Sequence, residues 1–256
     1  DQRNITGAEL AQLDKLCLRR VQGEPMAYLL GQREFYGLDF IVSPAVLIPR
    51  PETELLVELA LAHLPAHARH PTTNPATHPA THPLPPARLL DMGTGSGALA
   101  VALAHTRHDL QVCALDASSA ALAIASQNAA KHQVTVEFIE SDWYTALPPE
   151  ARFDLIVANP PYIVAGDPHL QQGDLRFEPL DALTDHQDGL SSLRQIIAGA
   201  PHHLQPGGWL LMEHGYDQAE SVCALLAQQS VGKFTHIQSW LDLAGIARVT
   251  GGQWQG

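Results

Sequence analysis

The chain has 256 residues, of which 45% are hydrophobic and 16% are charged. This composition is typical of a folded globular protein and excludes an intrinsically disordered chain. No apolar run reaches the ~18 residues that a membrane span needs, and the three widely spaced cysteines match neither a disulfide framework nor a zinc motif. We therefore expect a cytoplasmic protein with no membrane contact. The net charge of −12 offers no clustered positive charge for nucleic acid, which lowers the expectation of a nucleic-acid partner.

The first predicted element is a helix that begins at Thr6. Thr6 and Glu9 have the spacing of a capping box, and an apolar stripe at helical spacing follows until Gly23. A single helix of this length needs a partner for its apolar face. The helix is either docked on the main domain or the last piece of a helical domain, and we expect the second, with residues 1–30 as the remnant of a helical N-terminal domain.

A β-hairpin is predicted next, in a connector over residues 31–46. Two short runs of aromatic and β-branched residues between 33 and 42 flank a turn at Gly37-Leu38. Beyond the connector, Pro51 followed by acidic residues suits the first turn of a helix.

A segment rich in proline and histidine interrupts the chain at about residues 65–86. Its Pro-Ala-Thr-His repeats contain almost nothing apolar to bury, which predicts an extended linker. Five of the fourteen histidines lie between His63 and His82. Alternating prolines do not supply the fixed geometry of a metal site, so we expect no bound metal.

After this segment, strands and helices alternate. The predicted strands cover residues 89–91, 110–116, 134–140, 154–158, 209–213, 235–240 and 246–250, and the predicted helices cover residues 96–106, 118–131, 190–204 and 217–229. This alternation predicts an α/β fold with a doubly wound, seven-stranded, mostly parallel sheet and helices on both faces. Ligands of such sheets bind beyond the carboxyl ends of the strands. We therefore expect the chemistry at Asp91, Asp116, residues 140–143 and Asn159.

The segment Asp-Met-Gly-Thr-Gly-Ser-Gly-Ala at residues 91–98 follows a predicted strand and opens a predicted helix. Its three alternate glycines permit a tight turn and let a ligand approach the backbone closely, which predicts a cofactor site. The glycines alone do not choose between a dinucleotide and an adenosyl sulfonium. Asp116, at the end of the next strand, is placed to accept hydrogen bonds from both hydroxyls of a ribose.

The string Asn159-Pro160-Pro161-Tyr162 directly follows the fourth predicted strand of the sheet. Two consecutive prolines fix the backbone, so the Asn159 side chain and the Pro160 carbonyl can be held as two acceptors. That arrangement matches a planar NH₂ group with two protons. The Tyr162 ring adds a flat face against which an amide or an aromatic amine can stack.

At this string the chain resembles the S-adenosylmethionine-dependent N-methyltransferases of the Asn-Pro-Pro-Tyr type. More narrowly, it resembles the peptide chain release factor glutamine methyltransferases, the HemK family. The most family-specific string is Leu-Ile-Pro-Arg-Pro-Glu-Thr-Glu at residues 47–54. Further matching strings lie at residues 23–35, 177–183, 188–190 and 242–245.

This resemblance implies a Rossmann-like methyltransferase domain over residues 47–256. It also implies that the enzyme transfers a methyl group from S-adenosylmethionine to the side-chain amide nitrogen of the glutamine in the Gly-Gly-Gln motif of peptide chain release factors. In the family, a helical N-terminal domain helps to dock the release factor. Residues 1–30 would retain only its last helix.

The resemblance further implies roles for individual residues. Residues 93–97 would contact the methionine part of the cofactor, Asp116 its ribose, and residues 142–143 would flank its adenine. The implied cofactor-binding residues are Asp91, Gly93, Thr94, Gly95, Ser96, Gly97, Asp116, Asp142, Trp143, Asn159 and Arg50. The implied substrate-binding residues are Asn159, Pro160, Pro161, Tyr162 and Phe35, among which Asn159, Pro160 and Tyr162 are the implied catalytic residues.

Three alternatives remain open. A nucleic-acid N-methyltransferase would use residues 159–162 on the exocyclic amine of a flipped base. A nicotinamide oxidoreductase would use the glycine turn, but it leaves residues 159–162 without a role. A scaffold that binds the cofactor without catalysis is the third. The acidic charge and the string around Arg50 favour a release factor over nucleic acid as the partner.

Overall fold

The computed structural model describes residues 5–65, 85–229 and 232–256. The predicted Pro- and His-rich segment at about residues 65–86 falls almost entirely outside them. None of the helices in the described ranges is long and apolar enough to cross a membrane.

Within these ranges the chain forms seven α-helices and nine β-strands. The helices are α1 (Gly7–Val21), α2 (Met26–Leu30), α3 (Glu54–His63), α4 (Ala98–Thr106), α5 (Ser119–Lys131), α6 (Ser191–His203) and α7 (Ala219–Ala227). The strands are β1 (Gln32–Phe35), β2 (Leu38–Ile41), β3 (Arg88–Met92), β4 (Gln111–Asp116), β5 (Glu137–Glu140), β6 (Phe153–Ala158), β7 (Leu204–Glu213), β8 (Phe234–Leu241) and β9 (Ala247–Trp254).

Seven of these strands form one sheet in the order β5-β4-β3-β6-β7-β9-β8. Neighbouring strands from β5 to β7 run parallel, whereas β9 runs antiparallel to both β7 and β8. This confirms the predicted seven-stranded, mostly parallel sheet. The strand order reverses between the β3-β4-β5 half and the β6-β7 half, and such a reversal is where open sheets bind their ligands.

Helices cover both faces of the sheet, as the alternation predicted. On β3, Leu89 packs with α3 and α4, whereas Leu90 and Met92 pack with α6 and α7 on the opposite face. Successive strand residues point to opposite faces, so a strand buried on both sides is apolar throughout. The central strands are therefore held rigidly by two separate apolar clusters.

Several predicted boundaries are wrong. Helix α4 begins at Ala98 rather than at residue 96, because Gly97 has a φ of 80° and cannot continue a helix. The segment after Arg50 starts with a 3₁₀ turn at Pro51–Thr53 before α3. Strand β5 is confined to Glu137–Glu140, and β7 starts at Leu204, five residues earlier than predicted.

The N-terminal elements lie beside the sheet. The predicted capping box is present, since Thr6 Oγ1 accepts a hydrogen bond from the Glu9 backbone and the Glu9 carboxylate accepts one from the Thr6 backbone. No residue of α1 is buried. The hairpin β1-β2 turns at Tyr36-Gly37 rather than at residues 37–38. The proposed division into domains stays a prediction.

A buried amide attaches this hairpin to the sheet domain. Asn128 on α5 accepts a hydrogen bond from the Ile41 backbone nitrogen at 2.7 Å and donates to the Ile41 carbonyl at 3.0 Å. The same side chain donates to the Ser96 carbonyl at 2.8 Å. One side chain therefore joins the hairpin to the glycine-rich loop.

Candidate active site

The parallel register aligns four strand ends in one row. Met92 on β3 is level with Leu115 on β4 and with Ala158 on β6, which in turn is level with Met212 on β7. The next residues along these strands therefore lie at the carboxyl edge of the sheet, either as the last residue of the strand or just beyond it. They are Gly93, Asp116, Asn159 and Glu213.

A cavity of about 330 Å³ opens at this edge. Its size lies in the range of cofactor and ligand sites. Among the predicted site residues, those that line it are Gly93, Gly95, Asp116, Asp142, Trp143, Asn159 and Pro161. A smaller adjoining recess of about 50 Å³ is lined by Phe35, Arg50, Thr94 and Ser96, together with Gly93, Gly95 and Asn159. The remaining predicted residues, Asp91, Gly97, Pro160 and Tyr162, line neither space.

The glycine-rich loop presents bare backbone to both spaces. Gly93 and Gly95 have φ values of 72° and 55°, which favour glycine, and a Cβ built on either residue would meet no atom within 4 Å. At Gly97 a Cβ would lie 3.0 Å from the Ala125 Cβ, so this glycine serves packing of α4 on α5. The first two glycines thus leave room for a ligand, and the third fixes the helix behind them.

Asp91 stabilises the glycine-rich loop by hydrogen bonds. Its Oδ2 accepts hydrogen bonds from the Thr94 hydroxyl at 2.7 Å and from the Ala100 backbone nitrogen at 3.2 Å. Burial raises the pKa of Asp91 to about 7, although these two hydrogen bonds act to lower it. Oδ1 is buried and has no hydrogen-bond partner among the described residues.

Asp116 lines the larger cavity and bonds to the glycine-rich loop. Its Oδ2 accepts a hydrogen bond from the Gly95 backbone at 2.8 Å, and its Oδ1 accepts one from Ser118 at 2.9 Å. Desolvation raises the pKa of Asp116, while these two bonds oppose the shift. A carboxylate has about four acceptor positions, so Asp116 retains capacity for two hydroxyl groups.

Trp143 also lines this cavity. The Ser141 hydroxyl donates to the Trp143 carbonyl at 2.7 Å and accepts from the Ala146 backbone at 3.0 Å. Trp143 has a φ of 47°, a conformation that such a bulky residue rarely adopts and that this hydrogen-bonded turn maintains. The ring and the adjoining Asp142 are thereby held against the cavity.

Asn159 lies where the cavity and the recess meet. Its Nδ2 donates a hydrogen bond to the Thr53 hydroxyl at 3.1 Å. Among the described residues, no donor bonds its Oδ1 or the carbonyl oxygen of the buried Pro160. Both oxygens therefore lack a donor among the described residues, and of the two residues only Asn159 lines the cavity and the recess.

Tyr162 lines neither the cavity nor the recess. Its hydroxyl donates to Glu213 Oε1 at 3.2 Å, and its backbone carbonyl accepts from Gln218 Nε2 at 3.0 Å. Burial, followed by the charge of Glu213, raises the pKa of Tyr162, so the hydroxyl remains a donor. Tyr162 thus fixes the loop after residues 159–161 to the end of β7.

Arg50 and Phe35 form the outer side of the recess. The Arg50 guanidinium is paired with the carboxylate of Glu178, whose side chain is fully buried and also accepts from the Ile48 backbone at 3.0 Å. Phe35 is 1% exposed and packs edge-to-face on Phe40. The pair between Arg50 and Glu178 joins two segments that flank Asn159.

Three residues of this site are absent from the sequence-based list: Thr53, Glu178 and Glu213. Each carries a signal that could have identified it. Thr53 belongs to the string at residues 47–54, and Glu178 to the string at residues 177–183. Glu213 ends the fifth predicted strand of the sheet, so the rule that placed the chemistry beyond strand ends applies to it as well. No cluster of His, Cys, Asp or Glu able to hold a metal ion exists within residues 5–65, 85–229 and 232–256.

Comparisons with known proteins place the chain in a family. The sequence profile of the methyltransferase small domain matches residues 79–173. The release factor glutamine methyltransferase of Bordetella pertussis is 50% identical over 97% of this chain and 84% of its own length. The release factor glutamine methyltransferase of Neisseria gonorrhoeae is 49% identical over 94% of this chain and 81% of its own length.

Solved structures support the fold. A methyltransferase from Pyrococcus furiosus has a TM-score of 0.58 at 14% identity and covers 95% of this chain and all of its own. The T. thermophilus 16S rRNA methyltransferase RsmC, solved with AdoMet and guanosine, has a TM-score of 0.58 at 20% identity over 88% of this chain and 50% of its own. At these identities the likeness concerns the fold alone. The curated relatives decide the finer assignment, and the chain belongs to the family of release factor glutamine methyltransferases.

Proposed function

We propose that this methyltransferase transfers a methyl group from S-adenosylmethionine to the side-chain amide nitrogen of the glutamine in the Gly-Gly-Gln motif of peptide chain release factors. Membership of the family supports the release factor as substrate. One observation supports an amide nitrogen as the methyl acceptor. Asn159 Oδ1 and the Pro160 carbonyl are two acceptors without partners among the described residues, on a rigid proline string beside the cavity.

The residues of the larger cavity fit S-adenosylmethionine. The open space at Gly93 and Gly95 suits the methionine part, because a ligand can approach bare backbone there. Asp116 retains acceptor capacity for the two ribose hydroxyls. Trp143, with Leu115 and Ala121 among the lining residues, offers apolar surface for the adenine.

The acceptor end is matched to an amide rather than to a stronger nucleophile. An amide nitrogen attacks poorly because its lone pair is delocalised into the carbonyl group. Asn159 and Pro160 can each accept one of its two protons and so hold the nitrogen in line with the methyl group, which the bound cofactor supplies in electrophilic form. Positive charge grows on the nitrogen as its bond to carbon forms and the carbon–sulfur bond breaks. Both acceptors then bind more strongly, which stabilises the transition state.

The displaced proton leaves to solvent after transfer. Asp116, Asp142 and Asp181 line the cavity with Asn159, but among the described residues the Asn159 side chain bonds to none of them, and the buried carboxyl of Glu213 faces Thr53 and Tyr162. We therefore assign catalysis to alignment and electrostatics. Phe35 and Pro161 shape the space on either side of Asn159, and Arg50 orders the segment that carries Thr53.

The same string could also present a base amine. The curated relatives and the net charge of −12 do not favour a nucleic-acid substrate. Residues 1–30 are proposed as part of the surface that meets the release factor. The exposed apolar residues of α1, including Leu10 and Leu13, are consistent with such a surface.

The test is methyl transfer from S-adenosylmethionine carrying an isotope-labelled methyl group, followed by mass spectrometry of the products. We expect the label on the Gly-Gly-Gln glutamine of a release factor and none on total RNA. A release factor in which that glutamine is replaced by glutamate is the matched control, since it keeps the shape and lacks the amide nitrogen. Labelling of RNA, or equal labelling of the glutamate variant, would contradict the proposal.

A further inference from the structure

Glu213 carries a buried carboxyl group that the proposed chemistry does not use. Glu213 follows Met212 at the carboxyl end of β7 and is 1% exposed. Its Oε1 accepts the Tyr162 hydroxyl, and its Oε2 has no partner in normal hydrogen-bond geometry among the described residues. A buried carboxyl with this environment costs stability, so its position calls for another explanation.

The Thr53 hydroxyl connects this carboxyl to Asn159. It accepts a hydrogen bond from Asn159 Nδ2 at 3.1 Å. It also acts by hydrogen bonding to lower the pKa of Glu213, although this contact lies outside normal hydrogen-bond geometry. Thr53 is itself 4% exposed, so water does not supply alternative partners for its hydroxyl.

The direction of hydrogen bonding along this chain follows from the charge of Glu213. A carboxylate only accepts, so the single hydroxyl proton of Thr53 is directed to Glu213. The lone pairs of Thr53 then receive Asn159 Nδ2, and Asn159 Oδ1 remains for the substrate. If Glu213 carries a proton, it can donate to Thr53, and Thr53 can donate to Asn159 Oδ1. That reversal would turn the NH₂ group of Asn159 towards the substrate NH₂ group, where two donors meet.

We propose that Glu213, acting through Thr53, is a positioning residue that selects the orientation in which Asn159 presents its oxygen rather than its NH₂ group to the methyl acceptor. The inference rests on the proposed function for its role in turnover. The part of the inference that concerns the orientation of the Asn159 amide does not depend on any substrate.

We call the hydrogen bonds from Glu213 through Thr53 to Asn159 the relay. The charges around Glu213 set the pH at which the relay has the direction that leaves Asn159 Oδ1 for the substrate. Burial raises the pKa of Glu213 to about 7, and the hydroxyls of Thr53 and Tyr162 lower it. The positive charge of Arg248 on β9 also lowers it, whereas the negative charge of Glu52 on the 3₁₀ turn raises it. The relay is therefore correctly directed above about pH 7 and is lost as the pH falls through that value.

The first test compares wild type with Glu213→Gln in kcat as a function of pH, at saturating cofactor and release factor. Wild-type kcat should fall at low pH, so that its pH profile has an acid limb with an apparent pKa near 7. The Gln variant should lose that acid limb, because an amide does not titrate. It should also be slower at pH 8 by about 10-fold, since its NH₂ group can donate to Thr53 and reverse the relay. An unaltered acid limb in the variant would overturn the proposal.

Two pairs of variants separate positioning from a general structural role. Thr53→Ser keeps the hydroxyl and should keep both turnover and the acid limb, whereas Thr53→Val keeps the shape and should lose both. Glu52→Gln removes a charge that raises the pKa of Glu213, and Arg248→Gln removes one that lowers it, together with the ion pair between Arg248 and Asp242. The first should move the acid limb to lower pH and the second to higher pH. Shifts in the same direction, or a Val variant equal to the Ser variant, would contradict the relay.

A substrate-free measurement keeps the inference apart from the proposed function. The side-chain NH₂ signals of Asn159, identified by their absence in Asn159→Asp, should titrate near pH 7 in wild type and stay constant in Glu213→Gln. Constant signals in wild type would overturn the inference even if release factor is methylated. Titrating signals in an enzyme that does not methylate release factor would refute the proposed function alone.

Discussion

The two halves of the active site are built in different ways. The cofactor half consists of residues close in sequence, since the loop at residues 93–97 and Asp116 follow two adjacent parallel strands and bond to each other directly. The acceptor half is assembled from Thr53, Asn159 and Glu213, which come from three distant segments. The cofactor site is therefore formed by residues close in sequence, whereas the orientation of the Asn159 amide depends on contacts between distant segments.

The two halves also differ in how their buried groups are satisfied. Both oxygens of Asp116 accept backbone hydrogen bonds from the cofactor half itself. Glu213 depends on side-chain hydroxyls and retains an unpartnered oxygen among the described residues. Each half nevertheless holds one buried carboxyl oxygen without a partner among the described residues, Asp91 Oδ1 in the cofactor half and Glu213 Oε2 in the acceptor half.

The largest effect should come from Asn159→Ala in the acceptor half. Loss of one preorganised acceptor should reduce turnover by about 10²-fold or more, because that hydrogen bond strengthens in the transition state. Asn159→Asp restores an acceptor oxygen and should recover part of the activity. Steady-state methylation of release factor measures both variants, and their thermal unfolding checks that each is folded. Full activity of the Ala variant would remove Asn159 from the mechanism.

Asp116→Ala should damage the cofactor half instead. Leaving buried hydroxyl partners unmatched costs about 1 to 3 kcal/mol, or roughly 5- to 150-fold in affinity for S-adenosylmethionine. Calorimetric titration of the cofactor measures this loss directly. Wild-type affinity in the variant would refute the assignment of Asp116 to the ribose.

Asn128→Ala tests the buried amide that joins the hairpin to the glycine-rich loop. Removing this amide leaves the Ile41 backbone and the Ser96 carbonyl without their partner, which should reduce the free energy of unfolding by about 1 to 3 kcal/mol. Denaturant titration measures the change. This variant is a matched control for Asn159→Ala, since it also removes an asparagine but should retain most of its turnover while folded. A loss of turnover as large as that of the Asn159 variant would show that this amide also orders the reacting residues.

Tyr162→Phe should have the smallest effect. The ring stays in place, but the hydrogen bond to Glu213 is lost, which should lower kcat by about two- to tenfold. That bond lowers the pKa of Glu213, so its removal should raise the pKa and move the acid limb of kcat to higher pH. A pH profile of the variant measures the shift. An acid limb displaced to lower pH would contradict the assigned direction.

The sequence predicted the cofactor half more completely than the acceptor half. Alternating strands and helices, together with the glycine spacing, identified the sheet and its loop, because those patterns express local backbone requirements. The contact between Thr53 and Asn159 spans 106 residues, so no local pattern could reveal it. Glu213 could have been found from its place at a strand end. Its link to Tyr162 depended on the register between β6 and β7, which strand patterns do not specify.

The most direct test of the account is a crystal structure of the protein with S-adenosylhomocysteine and a peptide that contains Gly-Gly-Gln. We expect the glutamine amide nitrogen within hydrogen-bond distance of both Asn159 Oδ1 and the Pro160 carbonyl, with Asn159 Nδ2 still on Thr53. The Asn159 variants, in which density for the peptide should weaken, would serve as the reference. A glutamine amide bound elsewhere, or an Asn159 NH₂ group that faces the substrate, would contradict the account.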